Sequence, residues 1–140
     1  MSVKPFILSL VDDDQIYQYG FKRTVELSKF AKKVLIFSDG EEAINFLMDN
    51  IGNARELPDA IFLDINMPIM NGFEFMDEYV KLKPRVGKSI VIYMVSSSID
   101  PADIERAKSI SDLSDYIIKP VAKDRLKDII EELERKHGLK

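Results

Sequence analysis

Short apolar runs recur along the chain, and stretches with helical spacing fill the intervals between them. Phe6-Ile7-Leu8-Ser9-Leu10-Val11 runs straight into Asp12-Asp13-Asp14, and Ala60-Ile61-Phe62-Leu63 runs into Asp64. Apolar runs of this length bounded by charge predict buried strands of a parallel sheet. Val34-Leu35-Ile36-Phe37, Ile90 to Val95 and Tyr116-Ile117-Ile118 are three further runs of the same kind.

The intervening segments predict helices. Asp14 is placed to cap a helix from Gln15 to about Lys29, with Ile16, Tyr19, Phe21 and Val25 partly buried. Ser38-Asp39-Gly40 turns the chain into a helix from Glu41 to about Asn50 whose apolar face is Ala43, Ile44, Leu47 and Met48. A polar loop from Ile51 to Pro58 leads to the Asp64 strand. The Pro68–Gly72 loop follows that strand, then a helix from Phe73 to Leu82 that Lys83-Pro84-Arg85-Val86-Gly87 breaks. Asp100 before Pro101 is a strong helix start, with Asp103 in the first turn. Leu126, Ile129, Ile130 and Leu133 fall at i, i+3, i+4 and i+7, with charges around the remaining face.

Alternation of strand and helix throughout predicts an α/β fold, a parallel sheet covered by helices on both faces. Right-handed crossovers leave few topologies. For five strands the leading one is the flavodoxin-like doubly wound (βα)5 three-layer sandwich of strand order 2-1-3-4-5. That order sets the first and third strands side by side, so Asp12, Asp13 and Asp64 converge where such sheets open their binding crevice.

Composition narrows the function. A chain of 140 residues that is 46% hydrophobic fits one domain, residues 1–140, around a single core. Cysteine is absent, which removes disulfides, thiolate metal sites and thiol nucleophiles. The start of the chain lacks the features of a signal peptide, and no apolar stretch approaches membrane-spanning length, so a cytoplasmic protein with no membrane partner is expected. The net charge of -4, with acids and bases interspersed, argues against nucleic acid as a partner.

Three carboxylates in one small site repel one another unless a hard divalent cation joins them, and Mg2+ is the natural choice. Asp12 and Asp13 suit the metal, Asp13 by direct contact. Asp64 is the candidate nucleophile, since a carboxylate attacking phosphorus yields an acyl phosphate. Ser96 ends the fourth strand and can donate a hydrogen bond to a phosphoryl oxygen. Lys119 ends the fifth and can reach the same oxygens as a point charge. Pro120 can fix the direction of that lysine through a cis bond.

These residues, in this order, resemble the receiver domain of two-component response regulators. The matching segments are Val11-Asp12-Asp13-Asp14, the string from Leu63 to Gly72, Val95-Ser96-Ser97-Ser98, and Tyr116-Ile117-Ile118-Lys119-Pro120. The resemblance covers essentially the whole chain. It implies that Asp64 accepts phosphate from a phosphohistidine of a sensor histidine kinase or a histidine phosphotransfer protein. It implies a Mg2+ ion held by Asp12, Asp13, Asp64 and the backbone carbonyl of Asn66. Ser96 becomes the switch hydroxyl, Lys119 the phosphate-binding lysine and Tyr116 the aromatic rotamer switch. The chain departs from the family pattern in two places. The Ser96-to-Lys119 interval is slightly long, which makes Ser97 a rival for the hydroxyl role, and Leu113-Ser114 replaces the usual Gly-Ala pair.

The competing readings are weaker. A haloacid-dehalogenase-type phosphatase also uses an aspartate nucleophile and Mg2+, but it needs a second aspartate as general acid where this chain has Asn66. A flavodoxin-like cofactor binder would meet three aspartates that repel its phosphate. His137 sits in a charged helix end that favours a cation, and Met67 and Met70 suit loop packing. The expected protein is a stand-alone phosphoryl-accepting switch rather than a turnover enzyme, with its downstream protein target unspecified.

Overall fold

The computed structural model describes residues 3–138, so the ends of the 1–140 range lie outside the described residues. The elements alternate as β1 (Ile7–Val11), α1 (Gln15–Ser28), β2 (Lys33–Phe37), α2 (Gly40–Asp49), β3 (Ala60–Leu63), α3 (Gly72–Val86), β4 (Val91–Ser96), α4 (Pro101–Lys108), β5 (Asp115–Ile118) and α5 (Lys123–Lys136). The strands form one parallel sheet of order β2-β1-β3-β4-β5. This is the three-layer α/β arrangement expected from the sequence, with the expected neighbours at its centre.

Alternate residues of the central strands serve two separate cores. Val11, Ile61, Leu63, Ile92 and Met94 face Ala43, Ile44 and Leu47 of α2 and Phe73, Met76 and Tyr79 of α3. Leu8, Leu10, Phe62, Tyr93 and Val95 face Phe21 and Val25 of α1 and Leu126, Ile129, Ile130 and Leu133 of α5. A strand covered on both sides has no solvent face, which is why β3 reads as an unbroken apolar run and β1 as one interrupted only by the buried Ser9. No helix among the described residues is long and apolar enough to cross a membrane.

The sequence misplaces three details. Ile16 and Tyr19 are 85% and 66% exposed, not partly buried. Phe21 and Val25 are buried and continue a stripe begun by half-buried Tyr17, at i, i+4 and i+8. At roughly 100° of rotation per residue, Ile16 and Tyr19 project away from that stripe. Met48 likewise stands outside the α2 face, 47% exposed.

The third correction concerns α3, which runs through Pro84 to Val86 instead of breaking at Lys83. Proline removes the hydrogen bond to the Val80 carbonyl. Val80 is half-exposed, on the outer side of the helix, while buried Leu82 and Val86 hold the last turn against the core. The helix stops where Gly87 takes φ 81, the left-handed cap that glycine adopts without strain.

Gly72 fixes the loop that follows β3. Its amide donates to the Ile65 carbonyl at 2.8 Å, and a Cβ there would lie 2.3 Å from the Asp64 carbonyl oxygen. Gly72→Ala is expected to destabilise the fold by about 2–4 kcal/mol, because the clash is with backbone that cannot step aside. Gly20, within α1, has nothing within 4 Å of its Cβ direction. Gly20→Ala should stabilise by roughly 0.5–1 kcal/mol. Urea denaturation of both variants checks the pair, and equal effects at the two positions would contradict the loop packing.

Candidate functional site

Parallel pairing brings the acids together. The register Val11↔Leu63 makes Asp12 and Asp64 the next residues past two neighbouring strands. Each is held by its own backbone: the Asp12 amide donates to the Phe37 carbonyl and the Asp64 amide to the Val11 carbonyl, both at 2.9 Å. Asp12 Oδ1 accepts from the Asp14 amide at 2.9 Å, and Asp64 Oδ1 accepts from the Ile65 amide at 2.8 Å. Asp12 and Asp64 are buried, while Asp13 is exposed at the mouth. One carboxylate oxygen from each of the three lies within 4.8 Å of the others.

Lys119 enters from the end of β5. Its amide donates to the Ser96 carbonyl at 2.9 Å, and the Lys119–Pro120 peptide bond is cis. Its Nζ lies 2.6 Å from Asp12 Oδ2 and 3.5 Å from Asp64 Oδ2. The ammonium also stands 4.6 Å from the centre of the Tyr17 ring.

These contacts set the electrostatics. Burial raises the Asp64 pKa from 3.8 to about 6, reinforced by the Asp12 charge and opposed by Lys119 and the Ile65 amide. Burial works against the charge on Lys119, yet its hydrogen bond to Asp12 and the two carboxylates outweigh that and hold its pKa above the usual lysine value. Three carboxylates and one ammonium leave two negative charges uncompensated when all are ionised. A donor set of hard oxygens with that surplus fits a small divalent cation.

Ser96 is the last residue of β4 and is buried, whereas Ser97 is exposed. Ser96 Oγ accepts from the Ser98 amide at 3.1 Å. The Tyr116 hydroxyl donates to the Ser98 carbonyl at 2.9 Å, and its half-buried ring packs against the α2–α3 side of the core. Asn66 lies exposed in the loop after β3. That loop is pinned by the Gly72 bond and by the Gly40 amide, which donates to the Met70 carbonyl at 2.9 Å. Asn71 and Glu74 close it with a reciprocal capping box.

Met67 and Met70 are half-buried against the core. His137 is remote from this cluster: it caps the C-terminus of α5, with Nε2 3.8 Å from Asp59. Residues that sequence reasoning passed over are Tyr17 and Gln18, whose side-chain amide donates to the Asp12 carbonyl. The correct helical phase, Tyr17-Phe21-Val25, would have turned Tyr17 inward.

A five-stranded sheet of this order with acids and a lysine at its strand ends defines a class, and the sequence profile of the response regulator receiver domain matches residues 8–131. The chain belongs to that family. It is 30% identical over 129 residues to the probable methanogenesis regulatory protein FilR2 of Methanothrix harundinacea, covering 92% of this chain and 81% of that one. A two component response regulator from Cytophaga hutchinsonii superposes with a TM-score of 0.82 at 25% identity, covering 94% of this chain and 99% of the other. The phosphorylated cyanobacterial phytochrome response regulator RcpA superposes with a TM-score of 0.71 at 27% identity, covering 94% and 93%.

The raised Asp64 pKa has a stability consequence. The folded carboxyl holds its proton more tightly than the unfolded one, so the native state loses stability as pH rises from 3.8 to about 6, and the loss is complete above that. In metal-free buffer at pH 7, Asp64→Asn is therefore expected to be more stable than the parent by ~1–2 kcal/mol. The gap should close below about pH 4, where the parent carboxyl is neutral in both states. Urea denaturation across this range checks it, and a parent as stable as the variant at pH 7 would refute the electrostatic account.

Proposed function

We propose that the chain is a phosphoryl-accepting switch in which Asp64 takes a phosphoryl group from a phosphohistidine of a sensor histidine kinase or a histidine phosphotransfer protein. The convergence of Asp12, Asp13, Asp64 and Lys119 carries this reading. Asp12, Asp13, Asp64 and the backbone carbonyl of Asn66 would hold Mg2+. Bound there, Mg2+ supplies positive charge to the phosphoryl oxygens and relieves the repulsion among the acids.

The chain's own residues do the rest. A carboxylate oxygen of Asp64 forms the new P–O bond as the N–P bond of the donor imidazole breaks. Lys119 neutralises charge on the transferring group, and Ser96 donates its hydroxyl to a phosphoryl oxygen. The acyl phosphate is later lost to water, so the protein changes state instead of turning over a substrate.

The switch follows from the hydrogen bonds around Ser98. Turning the Ser96 hydroxyl toward a phosphoryl group ends its acceptance from the Ser98 amide and frees the β4–α4 loop to move. The Ser98 carbonyl is also the partner of the Tyr116 hydroxyl, so the loop and this ring move together. The face read by a partner would then comprise Ile99, Tyr116, Ala122 and the exposed side of α5. Ile99 is 75% exposed and Ala122 is exposed, in keeping with that role.

Two measurements test the reading. Acetyl phosphate with Mg2+ should add one phosphate to the intact mass, with no adduct in EDTA or in Asp64→Asn. An adduct that survives in Asp64→Asn would place the acceptor elsewhere. Lys119→Ala should remain folded by circular dichroism yet lose the change in hydrogen exchange that beryllofluoride, a phosphoryl mimic, produces between Ser96 and Lys119. Global unfolding of that variant would show a structural role instead.

A further inference from the structure

Lys119 has a third neighbour besides Asp12 and Asp64. The Tyr17 ring, from the first turns of α1, meets its ammonium at 4.6 Å. The ring is braced from behind: it packs on Phe21 with centroids 6.4 Å apart, and Phe21 packs on Phe62 of β3 at 5.1 Å. The Tyr17 hydroxyl is buried without a well-formed hydrogen bond, beside the backbone amide of Val121, two residues past Lys119. This one side chain therefore touches both the lysine and the loop that carries it.

A lysine side chain has a flexible stem and a point charge, and carboxylates alone do not fix where such a charge sits once a phosphoryl group competes for it. An aromatic face attracts a cation without prescribing one donor direction. It can hold the ammonium in place while the ammonium changes its hydrogen-bond partner. We propose that Tyr17 is a positioning residue for phosphoryl transfer: its ring holds the Lys119 ammonium over the site while that lysine exchanges Asp12 for a phosphoryl oxygen. The proposal rests on the phosphoryl-accepting reading above and assigns a part to a residue outside the acid–lysine set.

Three variants separate the ring from the hydroxyl and from the helix surface. Tyr17→Leu removes the ring, Tyr17→Phe keeps the ring without the hydroxyl, and Tyr19→Leu alters an exposed neighbour on α1. Acetyl phosphate is the donor, so that no protein docking on α1 enters the rate. Tyr17→Leu should slow phosphorylation at saturating Mg2+ by roughly five- to tenfold, the size expected of a partly desolvated cation–π contact. Tyr17→Phe and Tyr19→Leu should stay within about twofold of the parent by the same argument.

The geometry has its own readout, independent of phosphorylation. The Lys119 side-chain protons should show an upfield ring-current shift in NMR spectra of the parent and of Tyr17→Phe, lost in Tyr17→Leu. Absence of that shift in the parent overturns the proposal even if Tyr17→Leu does not fold. A parent that is phosphorylated alongside an equally fast Tyr17→Leu overturns this proposal alone, as does a Tyr17→Phe variant as slow as Tyr17→Leu. A parent that takes up no phosphate overturns the underlying reading and this one with it.

Discussion

Two carboxylates, Asp12 and Asp64, are buried side by side at the ends of neighbouring strands, and the architecture around them answers that repulsion. With oxygens less than 5 Å apart, an effective dielectric of about 20 puts the bare interaction at roughly 3–4 kcal/mol. The sheet order makes the encounter unavoidable, because β1 and β3 pair in register and both acids follow directly. Lys119 comes in from the end of β5, and the backbone amides of Asp14 and Ile65 each donate to one of the acids. What remains is an excess of negative charge in a partly buried cleft, which favours any ligand that brings positive charge to it.

The same constraint explains why the surrounding loops are tightly held. The loop after β3 turns back so closely on Asp64 that only glycine fits at position 72. Gly40 and the Asn71–Glu74 capping box fasten its far end. The β4–α4 loop is secured differently, by side chains: Ser96 Oγ accepts from the Ser98 amide, Ser98 Oγ donates to Asp103, and the Tyr116 hydroxyl donates to the Ser98 carbonyl. A loop held by hydroxyl groups can be released by turning a hydroxyl, whereas one held by backbone packing cannot. The loop beside Asp64 is thus fixed by close backbone packing, and the β4–α4 loop by side chains that can turn.

The sheet, its order and the convergence of the acids were legible because a strand buried on both faces leaves an unbroken apolar run with charge at its end. Lys119 was legible by its position after the short apolar run Tyr116-Ile117-Ile118, although that edge strand is only partly buried. Helix phase was harder to read. In α1 apolar residues stand on more than one side, and the choice of Ile16 and Tyr19 as the inner face passed over Tyr17. The continuation of α3 through Pro84 depends on tertiary anchoring by Leu82 and Val86, which a local propensity cannot register. Side-chain links across loops, such as Tyr116 to Ser98, join residues distant in sequence and follow no periodicity.

Helix phase matters because it decides which core the site leans on. With Tyr17 inward, a continuous column of rings and cations runs from the site through the α1–α5 side of the sheet. Lys119 lies over Tyr17, Tyr17 meets Phe21, Phe21 meets Phe62 at 5.1 Å, and Phe62 stacks on Tyr93 at 5.5 Å. Arg125 of α5 stands over Tyr93 at 5.8 Å and pairs with Asp115 of β5 at 2.7 Å. Close-packed rings resist displacement, so the column makes the Lys119 end stiff by connecting it to the centre of the fold. Its outer end, by contrast, is a solvent-exposed ion pair whose hold is weak and salt-sensitive. The rings thus tie the Lys119 end of the site to the core between α1 and α5, while the far end of the column closes on that exposed pair at the surface of β5 and α5.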